Sequence, residues 1–148
     1  MGLTERFDRM PFNSHLDIEL VEAADGHAIG RIDLQRKHSS SPDHFVAHGG
    51  VAYALADTIG GAAVISINQT VTPTIDMRID YLAPATGGLL EADATVVRNG
   101  SSVAVVEVEV TDDDDRTIAV ARGTYKTGGA TGKTAWEREQ RRDGRTTD

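Results

Sequence analysis

The chain contains no cysteine. That excludes a disulfide scaffold, a thiolate metal site and a cysteine nucleophile. It also lacks any excess of positive charge: 15 Lys and Arg stand against 23 Asp and Glu, for a formal net charge of −8. A general binder of phosphate backbones needs a basic face, so no nucleic-acid partner is expected. The N-terminus, MGLTERFDRMPF, is charged and has no apolar signal core. Together with the missing cysteines, this fits a cytoplasmic location. One run, Gly49 to Ile67, is weakly polar and has the length of a membrane span. Asp57 lies near its middle, at roughly 3 kcal/mol on insertion scales, and Gly and Ala outnumber Leu and Phe. It reads as a buried helix of a soluble protein, with no membrane partner.

What remains is enough for one globular domain: 148 residues, 39% apolar and 26% charged. Charge is missing from one place in particular. Asp57 is the only formally charged side chain between Asp43 and Asp76. A carboxylate withdrawn from water costs several kcal/mol unless it is paired or protonated. Such a group is either a capping or hydrogen-bonding residue or a member of an active site.

The pattern of elements is as follows. Residues 3–10 suit a short helix before Pro11. Residues 17–24 alternate as a strand, Asp25-Gly26 signals a turn, and residues 27–34 return as a second strand. Residues 37–46, Ser-rich with Pro42, form a loop. Residues 49–67 make the only long helix, with Val51, Leu55, Ile59, Val64 and Ile65 spread over more than one face, as burial on several sides requires. Beyond Asn68 the period becomes two. Val71, Ile75, Met77, Ile79 and Tyr81 predict a half-buried strand with Pro73 near its start. Residues 88–98, 102–111 and 117–127 complete a four-strand meander, with a hairpin turn at Asn99-Gly100 and a solvated acidic tip at Asp112–Asp115. Helices and strands do not alternate, which favours α+β: an antiparallel six-stranded sheet wrapped around one long central helix. Residues 1–127 form the domain. Residues 128–148, with Trp136 as their only aromatic, read as a flexible polar tail.

The chemistry concentrates at His48-Gly49-Gly50 and Asp57. Two glycines open the helix, where unpaired N–H groups and the positive dipole end face outward. Glycine lets another atom approach those donors closely. Preorganised donors of this kind stabilise a carbonyl oxygen that becomes negative. Asp57 is the helix's only candidate for a general base or nucleophile.

HGGVAYALADTIGGAA, then TIDMRIDYLAPA, then a strand ending in RNGSS resembles the hotdog-fold acyl-CoA thioesterases of the phenylacetate-degradation type. The resemblance spans roughly residues 15 to 127. Its specific part is HGG with an acid nine residues after the histidine. It implies a sheet wrapped around the central helix, and subunits joined edge to edge as a homodimer or a dimer of dimers. It implies hydrolysis of an acyl-CoA to an acid and free CoA, with no cofactor beyond the CoA of the substrate. The Gly49 N–H would polarise the thioester carbonyl. Asp57 of the other subunit would activate water or attack directly, Thr74 would help hold the water, and His48 would support the loop and bond near the thioester. Gly50 would line the substrate.

Two departures bear on CoA binding. Similar enzymes often carry Asn or Gln six residues before this histidine. Here that position is Pro42, so Asp43 or His44 substitutes or the loop differs. Many also have a basic residue after the glycine of the later hairpin. Here the pair is Gly100-Ser101, which leaves Arg98 and serine hydroxyls for the phosphates. Asp43-x4-His48 also matches hotdog enoyl-CoA hydratases, without their Asn-Pro between the two residues, and a non-catalytic acyl-CoA-binding module is the third reading. The five histidines all lie in the first 48 residues, with none paired at i, i+4 on a helix, so no metal is expected.

Overall fold

The computed structural model describes residues 1–128. Helices α1 (Leu3–Asp8) and α2 (Pro11–Leu16) lead into the hairpin β1 (Glu19–Ala24) and β2 (His27–Asp33). A 3-10 turn at Arg36–His38 precedes the long helix α3 (Gly49–Asn68). Strands β3 (Thr74–Tyr81), β4 (Leu89–Asn99), β5 (Val103–Asp112) and β6 (Thr117–Lys126) follow. The expected tail beyond Gly128, with Trp136, lies outside the described residues.

All six strands form one antiparallel sheet in the order β1-β2-β4-β5-β6-β3. Helix α3 lies against it and touches every strand. This is the α+β architecture that the periodicities predict. The alternation decides which face meets the helix: Ala92 and Ala94 of β4 and Val106, Val108 and Val110 of β5 are buried beneath it, while Asp93, Thr95, Glu107 and Glu109 face out. The helix can lie close because the sheet is lined by alanine and by Gly30. A Cβ on Gly30 would stand 2.6 Å from Ile59 Cγ1. Leu55 and Ile59 are fully buried, each burial stabilising the fold by about 2 kcal/mol. Among the described residues, the one helix of spanning length and composition is this core helix, with half of its apolar window buried.

Three expectations need correction. Pro11 does end the first helix, but it also starts α2 as its first helical residue, where a missing N–H costs nothing. The later strands are not a simple meander. β3 crosses to the far edge and pairs with β6, while β4 pairs with β2. The connection through Pro84 is too long for a tight turn. It runs across the end of the sheet, tied by Ala47 N–H to Ala85 O and Leu34 N–H to Gly88 O. Nor is β3 half-buried along its length: Met77 is buried, but Ile75 and Tyr81 are 57% and 52% exposed. A bulge between Thr74 and Asp76 interrupts the alternation at an edge strand. The hairpin turn expected at Asn99-Gly100 is present: Asn99 pairs with Ala104, the loop is Gly100–Ser102, and the Asn99 side chain bonds Asn68 at the end of α3 (2.9 Å). Asp25-Gly26 likewise makes the expected tight turn with φ of 52° and 83°.

The acidic tip is also less solvated than its composition implies. Asp113, Asp114 and Asp115 are exposed, but Asp112 is buried. Its carboxylate accepts the N–H groups of Asp114 (3.0 Å) and Arg116 (2.9 Å) and the Arg116 guanidinium (3.1 Å). These bonds, the Arg116 N–H foremost, hold its pKa below the ordinary value. Carboxylate oxygens of Asp112, Asp113 and Asp114 lie within 4.8 Å of one another. The turn's donors to these carboxylates are all spent on Asp112.

Candidate active site

The site starts at the first turn of α3. His48 is the N-cap in an extended conformation, and its Nδ1 accepts the Gly50 N–H at 2.8 Å. In the neutral ring this places the proton on Nε2. Gly50's donor is thus consumed inside the cap, so it is not free for a ligand. Among the described residues no acceptor is bonded to the Gly49 N–H. That N–H is the available donor at the positive end of the helix. The Gly49 carbonyl is clamped from β3, where the Tyr81 hydroxyl donates to it at 2.7 Å. Burial, then the neighbouring Tyr53, raise the Tyr81 pKa. A cleft of about 400 Å³ opens here, lined by His48, Gly49, Ala52, Tyr81, Leu82 and Pro84 among others.

Asp57 is partly buried and is not isolated. Thr74 Oγ1 donates to its Oδ1 at 2.7 Å. The Tyr125 hydroxyl stands 2.8 Å from the Asp57 carbonyl oxygen and 3.2 Å from the same Oδ1. Tyr125 reaches the helix from β6, is 1% exposed, and has its pKa raised far above the usual range, by burial first and by the Asp57 charge second. The ring needs room. A Cβ on Gly60 would lie 2.5 Å from the phenol oxygen, and one on Gly123 would lie 2.9 Å from Cε2. A mid-helix glycine costs about 1 kcal/mol relative to alanine. At Gly60 that cost has a packing reason.

Other expected site residues lie elsewhere. Asp43 and His44 sit in the exposed loop before α3, organised by Ser41, whose hydroxyl accepts the Asp43 N–H (3.3 Å) and contacts His44 Nδ1 (3.3 Å). Arg98, Gly100 and Ser101 are at the β4–β5 tip, beside the opposite end of α3. Gly100's carbonyl accepts the Thr127 hydroxyl (2.7 Å), while Arg98 and Ser101 are exposed. One chain therefore brings Asp57 to Thr74 and Gly49 to His48, but holds these two groups and the hairpin tip apart. A larger hollow, about 610 Å³, lies on the sheet face away from α3, between Arg78, Arg122 and acidic residues. It is remote from Asp57. Tyr125 and Tyr81 were not singled out from the sequence. An inward tyrosine on an alternating strand looks like any core aromatic, and only the strand order places these two on the helix.

The fold agrees with what known proteins show. A family model described as the thioesterase superfamily matches residues 44–119. The medium/long-chain acyl-CoA thioesterase YigI of Salmonella typhimurium is 30% identical, over 80% of this chain and 86% of its own. The 1,4-dihydroxy-2-naphthoyl-CoA hydrolase of Listeria monocytogenes is 28% identical, over 78% of this chain and 94% of its own. A mutant structure of the phenylacetic acid degradation protein PaaI from Thermus thermophilus superposes with a TM-score of 0.72 at 29% identity, covering 79% of this chain and 98% of that one. The chain belongs to the thioesterase superfamily and has its hotdog fold.

Proposed function

We propose that this protein hydrolyses acyl-CoA thioesters, with Asp57 as the catalytic carboxylate and the Gly49 N–H as the oxyanion donor. The observation that carries the reading is the Asp57 carboxylate itself: it is partly buried, oriented by Thr74 at 2.7 Å, and on the helix whose first N–H is unengaged. Asp57 draws a proton from water, and the hydroxide attacks the thioester carbon. The carbonyl oxygen becomes negative against Gly49 N–H and the helix dipole. The C–S bond then breaks and the thiolate takes up a proton. In the other route Asp57 attacks first and expels the thiolate, and water then attacks the aspartyl carbon of the mixed anhydride, so that the acid leaves with an oxygen that came from Asp57. A single turnover in heavy-oxygen water separates the two, because only the second leaves solvent oxygen in Asp57.

The site requires two copies of the chain. Gly49 and Asp57 are eight residues apart on one helix, roughly 12 Å at about 1.5 Å per residue, so a single carbonyl cannot meet both. A homodimer joined at the β3 edge, where Ile75, Tyr81 and Leu82 are exposed, supplies Asp57 from the partner. Arg98 and Ser101 meet the CoA phosphates, and a cytoplasmic location suits that substrate. The named relatives act on unlike acyl groups, a medium or long chain in one and a naphthoyl group in the other, so acyl preference needs measurement. A panel of acyl-CoAs with free-thiol detection tests the reading. Turnover that is abolished in Asp57→Asn supports it; full activity in that variant refutes it. The hydratase reading is disfavoured by geometry. His48 Nδ1 is engaged by the Gly50 N–H, and no bond joins Asp43 to His48 among the described residues.

A further inference from the structure

Tyr125 is a buried phenol that the mechanism above does not use. Its oxygen faces two acceptors of one residue, the Asp57 carbonyl at 2.8 Å and Asp57 Oδ1 at 3.2 Å. Thr74 donates to that same Oδ1. Thr74 thus bonds Oδ1, the phenol stands within reach of the same oxygen, and neither hydroxyl bonds Oδ2. The slot that admits the ring is built by two elements: Gly60 on the helix, one turn beyond Asp57, and Gly123 on β6. A phenylalanine would fill the same slot. The hydroxyl is the part that packing does not explain.

We infer that Tyr125 is a positioning residue for thioester hydrolysis: with Thr74 it fixes Oδ1 of Asp57 and leaves Oδ2 as the reacting oxygen. The inference rests on Asp57 being the catalytic carboxylate. The phenol carries one hydrogen and two acceptors. While Asp57 is ionised, that hydrogen is drawn to Oδ1 and stops the carboxylate turning. When Asp57 has taken the proton from water on Oδ2, the carbonyl oxygen holds the phenol hydrogen instead. No proton leaves the tyrosine, in keeping with its raised pKa.

The test uses the full chain, an accepted acyl-CoA and four variants. Tyr125→Phe keeps the ring and removes the hydrogen bond; kcat should fall about tenfold with KM within about twofold. Gly60→Ala leaves Asp57 and Tyr125 in place but sets a Cβ 2.5 Å from the phenol oxygen. It should lower both Tm and kcat. In the double variant the nearest ring atom to that Cβ is Cζ at 3.3 Å, so Tm should recover most of its loss while kcat stays at the Tyr125→Phe level. If the hydroxyl matters only for packing, kcat recovers with Tm, and the inference fails. It also fails if Tyr125→Phe keeps wild-type kcat while Asp57→Asn is inactive, which leaves the catalytic reading intact. An active Asp57→Asn would remove both.

Discussion

Replacing Thr74 with valine removes one hydroxyl while keeping the β-branched shape that suits an edge strand. The hydroxyl lost is the shorter of the two contacts on Asp57 Oδ1, at 2.7 Å. A hydrogen bond to a charged group is worth about 1.5–3 kcal/mol. Thr74 is exposed in the single chain, so water can stand in for part of that bond, and the lower end applies: about 1.5 kcal/mol, or roughly tenfold in rate. A partner copy covering the β3 edge would exclude that water and move the loss toward the upper end, about a hundredfold. The assay is steady-state thiol release, read as kcat and KM separately. Thr74→Val should lower kcat by that factor with KM little changed, and Thr74→Ser should restore most of it. A Thr74→Val variant within twofold of wild type would refute the reasoning. So would a serine variant as impaired as the valine one, because then shape rather than the hydroxyl is what matters.

Asp57→Asn should keep the fold, since the amide oxygen can still accept from Thr74, yet lower kcat by about two orders of magnitude or more; circular dichroism and thiol release together check it. Gly50→Ala should not gain the roughly 1 kcal/mol that helix propensity alone offers, because its Cβ would sit 2.9 Å from His48 Nδ1 and displace the cap. Urea unfolding should show the gain only when His48 is also changed to alanine. Asp112→Asn should lower Tm near neutral pH. The folded-state pKa of Asp112 is depressed, chiefly by the Arg116 N–H, so its stabilisation is fully present above the ordinary carboxylate value, about 4, and is lost as pH falls through the lower folded value. The gap in Tm between wild type and variant should therefore close in acid; a gap that widens there would contradict the assignment. Arg98→Ala should raise KM for acyl-CoA with kcat largely kept, and a loss confined to kcat would argue against phosphate contact.

How far the sequence could be read follows from the range of each interaction. The helix from Gly49 and the hairpin at Asp25-Gly26 are local, set by residues within one window, and both stand as expected. His48-Gly49-Gly50 and Asp57 were legible because a charge in an uncharged stretch, and glycines at a helix start, are one-dimensional signals. Strand order is not local. Nothing in residues 71–81 says that β3 passes over β4 and β5 to reach β6, and the apparent alternation there hides a bulge and an exposed edge. The same non-local step hid Tyr125. It lies 68 residues from Asp57, and only the register of β6 against β3 and β5 aims it at the helix. Asn99-Gly100 is a local signal too, and the hairpin between β4 and β5 stands there, with Asn99 also bonded to the end of α3.

The central helix explains why such a site is divided. One straight helix offers a polarised donor only at its first turn, and a carboxylate placed at that turn would itself occupy the donor. Placing the acid two turns further on keeps the Gly49 N–H open, but it also moves the acid beyond reach of the same carbonyl. A second copy, related by a two-fold axis, would resolve this: each helix start would face the middle of the other helix, and two equivalent sites would form together. The exposed apolar residues on β3 and the clamp from Tyr81 to the Gly49 carbonyl then belong to one device. The strand that would carry the dimer edge also ties Gly49 at one end, through Tyr81, and Asp57 at the other, through Thr74. A change that loosens β3 should therefore damage association and turnover together, whereas a change at Asp57 alone should leave association intact.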